Sequence, residues 1–242
     1  MELISSISNQ KIKEIKKLRM KKYRDKNKEF IVEGEHLVEE AINNDSLKTI
    51  ITMDVDYVNS DYEVIYVSDI VMKSLSLLSS IPRLIGICQI IDSEVNLEKN
   101  LVVLDGIQDP GNLGTIIRNA LAFNLNNLIF GLDCVDIYNP KVIQASQGAL
   151  FQINFEYCNL KENILTLKDN NYTLIGTSLE NGIELKKDTV CNNKKAYYFG
   201  NEGQGIKKEI LDLMDVNYFI EINNIESLNV ACASAIIFYQ FQ

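Results

Sequence analysis

YYFGNEGQGIKKEILDLMDVNYFIEINNIESLNVACASAIIFY, residues Tyr197 to Tyr239, decides the fold: two short apolar runs, each followed by a polar turn and a helical pattern. The run Ala196 to Phe199 breaks into Gly200-Asn201-Glu202-Gly203-Gln204-Gly205. Three glycines in six residues allow positive φ and let a ligand approach the backbone without Cβ atoms in the way. After the second run, Ser227 and Asn229 open a long small-residue helix with cap-forming side chains and free N–H groups. Two loops at the ends of two strands outline a small-molecule pocket built mostly from main chain. The glycines alone fit two ordinary strand-to-helix turns equally well.

Upstream, the same alternation continues. Leu101 to Leu104 is a short continuous apolar strand of the kind buried in a parallel sheet. Asp109-Pro110-Gly111 turns the chain, and Asn112 is read as the cap of a helix whose Leu113, Ile116, Ile117, Ala120 and Leu121 form one apolar stripe. Arg118 lies at the flank of that stripe one turn after Gly114. Helical side chains lean toward the N-terminus, so its guanidinium is expected to pass over the bare Gly114 toward the strand's C-terminal end, the edge where open α/β sheets bind ligands. Strands are expected at 127–130, 151–157, 172–177, 197–199 and 218–222, and helices at 140–149, 160–168 and 206–214, before the final helix. The fold class is α/β, a mostly parallel sheet with helices on both faces.

The N-terminal third is a separate small α/β pattern. Ile4, Ile7, Ile12, Ile15 and Leu18 predict one amphipathic helix running to about Lys22. Strands follow at Phe30 to Val32, Thr49 to Thr52, Glu63 to Val67 and Leu84 to Ile91, with a helix over Ser68 to Leu78. The polar stretch Asp92 to Asn100 reads as a linker, giving domains 1–92 and 101–242 joined by 93–100. His36, the only histidine, has no serine, cysteine or metal partner arranged by spacing, and a structural or surface role is expected.

Net charge is −9, but Lys11 to Lys28 holds ten basic residues against Glu14 and Asp25, a local +8 that leaves −17 on the rest. A strongly basic segment on an acidic body is the asymmetry of a localised nucleic-acid docking surface, and Lys16, Lys17, Arg19, Lys21, Lys22 and Arg24 are its candidates; the plainer alternative is a solvated helix face. No apolar run approaches a membrane span and the start carries no targeting signal, so a cytoplasmic protein without membrane partner is expected. Five cysteines without a Cys-x-x-Cys pair suggest buried thiols rather than disulfides or zinc, and no metal site is expected.

Three stretches together carry a more specific signal. Asp105 to Arg118 (DGIQDPGNLGTIIR), the Gly200 to Gly205 loop and the Glu226-Ser227-Leu228-Asn229 turn resemble, in order, the three motifs of the SpoU/TrmH family of RNA 2′-O-methyltransferases, members of the SPOUT class. The N-terminal third resembles that family's substrate-binding domain of ribosomal L30e-like fold.

The resemblance implies S-adenosylmethionine as cofactor, RNA as substrate, a C-terminal trefoil knot, a homodimer, and a catalytic set of Asn112, Arg118, Glu202, Ser227 and Asn229. It puts the cofactor on Gly200, Ile220 and Leu228, with Thr177 beside the adenosine. Arg118 is implied as the clamp on an RNA phosphate; family proposals also make it the proton acceptor, a demanding role for a group that stays protonated. Ribosomal RNA is favoured as substrate by the extra L30e-like module, with tRNA as the alternative. Ile220-Glu221-Ile222-Asn223-Asn224-Ile225 departs from the usual Ile-Pro-Met or Ile-Pro-Ile and glycine of the third motif, a change that bears on cofactor affinity rather than fold. The rival from another class is an RNA-binding protein that kept the methyltransferase shape without activity. A dinucleotide enzyme is disfavoured, because Gly106, Gly111 and Gly114 do not form Gly-x-Gly-x-x-Gly.

Overall fold

The computed structural model describes residues 2–90, 92–178, 182–186 and 194–241. In chain order its elements are β1 (Leu3–Ile4), α1 (Gln10–Lys17), α2 (Lys21–Asn27), β2 (Glu29–Glu33), α3 (Glu35–Asn43), β3 (Leu47–Thr52), β4 (Glu63–Val67), α4 (Asp69–Leu75) and β5 (Leu84–Gln89). Then come β6 (Leu101–Asp105), α5 (Pro110–Ala122), β7 (Asn127–Gly131), α6 (Pro140–Ser146), a 3-10 turn (Ala149–Gln152), β8 (Asn154–Cys158) and α7 (Leu160–Asp169). The chain closes with β9 (Thr173–Thr177), β10 (Ile183–Glu184), β11 (Lys195–Gly200), α8 (Lys208–Leu211), β12 (Val216–Phe219) and α9 (Val230–Gln240). Ile91 and Cys191, which the sequence places in a strand and among the buried thiols, lie outside the described residues.

The chain divides into two compact units. One comprises 1–92 with 138–151, the other 93–137 with 152–242. The first unit holds a mixed five-stranded sheet in the order β1-β4-β3-β5-β2, with β2 and β3 antiparallel to β5 and the other pairs parallel. Here the single predicted N-terminal helix is corrected. Leu3 and Ile4 pair with Tyr66 and Val67 as a strand, Asn9 caps α1, and the chain breaks at Met20 before α2. Ile4 and Ile7 share the helical period only by coincidence, and Ile7 is exposed.

Residues 138–151, which the strand-helix alternation assigns to the second domain, belong to the first unit by contact. Ile143 and Leu150 join the core of Phe30, Val32, Leu37 and Val38, and the Tyr138 and Phe151 rings lie 4.6 and 6.0 Å from that of Phe30. The Nε2 of Gln144 donates to the Glu33 carbonyl at 2.9 Å, and His36 meets the Gln147 carbonyl at 3.2 Å, a structural role for the histidine. Residues 93–100 are likewise no free linker. Val95 and Leu97 pack on the second unit's core, and Tyr172 Oη donates to the carbonyls of Leu97 and Lys99.

The second unit is built on a fully parallel seven-stranded sheet ordered β10-β12-β9-β11-β6-β7-β8. Strand alternation separates two faces. Leu101, Val103, Leu174, Ala196 and Tyr198 pack with Leu160, Ile164 and Leu167 of α7 and Ile210 of α8. On the other face, Tyr197 and Phe199 meet Phe238 of α9 at ring distances of 5.9 and 5.4 Å, and α9 packs against α5. Parallel register aligns the strand ends at one edge: Gly200 stands opposite Asp105, Phe199 opposite Leu104, and Tyr218 opposite Thr177. The loops that follow β6, β9, β11 and β12, four neighbouring strands, therefore all leave from the same edge.

Candidate active site

The first of these loops is shaped by its cap. Asp109 Oδ1 accepts from the Asn112 N–H at 2.8 Å and Pro110 occupies the first helical turn, where its missing N–H is harmless. The cap is thus Asp109 and not Asn112, which sits one turn inside with its side chain released for other partners. The buried stripe of α5 is Leu113, Gly114, Ile116, Ile117 and Ala120; Leu121 is only half-buried.

Asn112 joins the three loops. Its Nδ2 donates to Glu202 Oε1 at 3.0 Å, and its Oδ1 accepts from Asn229 Nδ2 at 2.8 Å. Glu202 Oε1 also accepts from the Asp109 N–H at 3.3 Å, and Asn229 Oδ1 caps α9 by accepting from Ala231 and Cys232 N–H. An unbroken hydrogen-bonded chain thus runs from the loop after β11, through the first turn of α5, to the start of α9. One turn pair further along the same stripe, Asn119 Nδ2 donates to the Ala231 carbonyl at 2.8 Å and to Ser234 Oγ at 3.1 Å. Asn119 and Ser234 escaped the sequence reading, although position i+7 from Asn112 on one helix was a usable signal.

Arg118 is on the solvent stripe of α5 with Gly111, Thr115 and Ala122, and its guanidinium makes no hydrogen bond or ion pair with a described residue. Gly114 below it is buried. Ser227 stands two residues before the cap of α9 rather than at it, exposed and without a hydrogen-bond partner among the described residues.

The cofactor candidates lie along the common edge. Thr177 ends β9 and its Oγ1 donates to the Tyr198 carbonyl at 3.0 Å; Ile220 follows β12; Leu228 precedes the α9 cap; Gly200 ends β11. A Cβ on Gly200 would collide with the peptide joining Gly205 to Ile206, so only glycine fits. From 221 to 228 the main chain makes no hydrogen bond to any described residue, which leaves a row of N–H and C=O groups for a ligand or water. Asn201, unassigned by the sequence reading, shapes its loop: Oδ1 accepts from Gly203 and Gln204 N–H, and Nδ2 donates to the Gly106 carbonyl at 2.8 Å. Exposed glycines, bare main chain and neutral polar side chains are a donor set that fits a nucleoside-bearing sulfonium ligand.

The thiols match the expectation of burial only in part, Cys88 being the buried one among the described residues. Cys134 and Cys158 are half-buried, and burial lifts each thiol to about 11, but Cys232 on α9 is exposed rather than buried. Among the described residues no group of three or more His, Cys, Asp or Glu is placed to hold a metal, and no helix is long and apolar enough to cross a membrane.

In the first unit, the basic segment sorts into two kinds. Arg24 is buried and its Nη1 donates to the carbonyls of Leu18 and Arg19 at 3.0 and 2.7 Å; Arg19 Nη2 donates to those of Ser74 and Ser76. Arg24 is thereby committed to holding the fold, while Arg19 is half-buried with one nitrogen of its guanidinium engaged. Lys17 pairs with Glu14 at 2.7 Å and Lys21 with Asp25 at 3.2 Å, whereas Lys16 and Lys22, with Lys13 and Lys26, make no ion pair with a described residue.

Comparison with known proteins decides the family. Residues 99–239, more than half of the chain, match the model of the SpoU rRNA methylase family, and residues 9–80 match the MRM3-like substrate binding domain. The chain belongs to the SpoU rRNA methylase family. It is an RNA 2′-O-ribose methyltransferase that draws its methyl group from S-adenosylmethionine. Over its full length it is 33% identical to the 23S rRNA (guanosine(2553)-2′-O)-methyltransferase RlmP of Bacillus subtilis, the match covering 100% of both chains. A solved structure of a putative RNA methyltransferase of the TrmH family from Porphyromonas gingivalis superposes with a TM-score of 0.86 at 28% identity, covering 98% of each chain. The AdoMet-bound rRNA methyltransferase from Sinorhizobium meliloti shares the fold, with a TM-score of 0.85 at 24% identity over 99% of this SpoU chain and 96% of that one.

Proposed function

We propose that this SpoU methyltransferase modifies a guanosine ribose of 23S ribosomal RNA in the cytoplasm, with Gly200, Ile220, Leu228 and Thr177 holding the methyl donor and Arg118 holding the RNA. The observation that carries the site is the chain Glu202 to Asn112 to Asn229, which knits three loops at one sheet edge. The choice of RNA is supported by the end-to-end match to RlmP.

When bound, S-adenosylmethionine supplies a methyl already activated on a sulfonium, so the protein's task is alignment and an exit for the hydroxyl proton. Arg118, exposed and without a partner among the described residues, offers a planar cation that can grip a phosphate with two parallel hydrogen bonds and so fix the adjoining ribose. Glu202 accepts from Asn112, Asp109 and Asn201 together, which favours holding the loop in shape over taking the proton. Ser227 keeps its hydroxyl for the substrate. The C-terminal knot and a homodimer belong to the same proposal; exposed Ile236 and Tyr239 on α9 support a second copy docking there.

Arg118→Ala is expected to leave S-adenosylmethionine affinity within about threefold while lowering methyl transfer by about a hundredfold or more. Calorimetry and a transfer assay on 23S rRNA fragments measure the two. Retained transfer would remove Arg118 from the site, and a wild-type chain that binds RNA but no S-adenosylmethionine would favour the inactive RNA-binding reading.

A further inference from the structure

We infer that Asp105 and Lys207 form a clasp that sets the glycine loop for its methyl donor, as positioning residues outside the assigned set; the inference rests on the reading that Gly200 and its loop hold the donor. Asp105 ends β6 directly opposite Gly200, and its carboxylate is buried. It takes two hydrogen bonds from one residue, the Lys207 N–H at 2.8 Å and Lys207 Nζ at 2.9 Å. The same ammonium donates to Asp133 Oδ2 at 2.7 Å, beside Gly106 and Gly131, on the turn after β7.

At the loop's other end Asn201 Nδ2 is bonded to the Gly106 carbonyl. Both ends of the 201–207 segment are therefore stitched to two consecutive residues, 105 and 106, at the mouth of β6. Between the stitches the loop closes on itself through the paired backbone bonds of Asn201 and Gly205. The Gly205–Ile206 peptide is then seated over Gly200 with no room for a Cβ, so a small slip at Lys207 is transmitted to the backbone proposed to hold the donor.

The location of the charges argues against a generic surface ion pair. A half-exposed lysine alone contributes little, but a buried carboxylate is costly unless fully paired. Here the pairing falls on the residue that ends the loop.

The test uses the full chain. Lys207→Met is expected to raise KM for S-adenosylmethionine about tenfold with kcat at saturation and KM for RNA each within about threefold, and Lys207→Arg, which can keep both carboxylate contacts, to recover most of the loss. Asp105→Asn, which keeps an acceptor for the Lys207 N–H, should fall between. An unchanged KM for S-adenosylmethionine, or KM for both substrates rising together with a lowered Tm, would overturn the clasp as a positioning device. In the wild-type chain, amide shifts of Gly200, Gly203 and Gly205 on adding S-adenosylmethionine check the underlying reading separately; if they stay still, the loop is not the donor site.

Discussion

Tyr198, in the middle of β11, is fully buried, and its hydroxyl has no hydrogen-bond partner among the described residues. Burial pushes that phenol well above its ordinary range, and the unmet donor costs about 1–3 kcal/mol relative to a satisfied one. Tyr198→Phe removes the hydroxyl without changing the ring, so urea unfolding is expected to show a gain of about 1 kcal/mol; a loss of similar size would mean that the hydroxyl is engaged. At this scale the sequence revealed residues that sit on recognisable periods and motifs: Arg118 on its helix, Gly200 at a strand end, Asn229 at a cap. It concealed Asn201, Asp105 and Lys207. The contacts that matter, Asn201 with Gly106 and Lys207 with Asp105, join residues more than ninety positions apart, and only the parallel register of β6 with β11 puts Asp105 opposite Gly200.

At the scale of elements, the instructive case is the break between α1 and α2. Ten cations in eighteen residues look like one decorated helix, and the charge count cannot tell which of them turn inward. The last carbonyls of a helix need partners, and Arg24, reaching back from α2 to the carbonyls of Leu18 and Arg19, supplies them. The two kinds of cation should separate in experiment. Arg24→Ala is expected to cost about 2–4 kcal/mol of stability by loss of charged hydrogen bonds, with the salt dependence of RNA binding unchanged. Lys22→Ala with Lys26→Ala should leave stability alone and reduce the slope of log affinity against log salt by about 2. Thermal unfolding and binding titrations across salt concentrations measure both, and a flattened slope for Arg24→Ala would reverse the assignment.

At the scale of the whole molecule, α6 and its flanks were legible as structure but not as membership. The alternation of strands and helices runs on evenly through 138–151, and nothing in its periodicity shows that Ile143 and Leu150 complete the core around Phe30. Burying those two side chains is worth about 3–6 kcal/mol together. A fragment of residues 1–92 is therefore expected to unfold at clearly lower denaturant than the same fragment with 138–151 attached by a flexible linker. Equal midpoints would show that the segment adds nothing to that core.

The backbone passes from one unit to the other three times, after residues 92, 137 and 151. A module whose core is completed by fourteen residues encoded in the middle of its neighbour is not portable. Cutting the gene at codon 92 and grafting the front piece onto another enzyme would leave Ile143 and Leu150, part of its interior, behind.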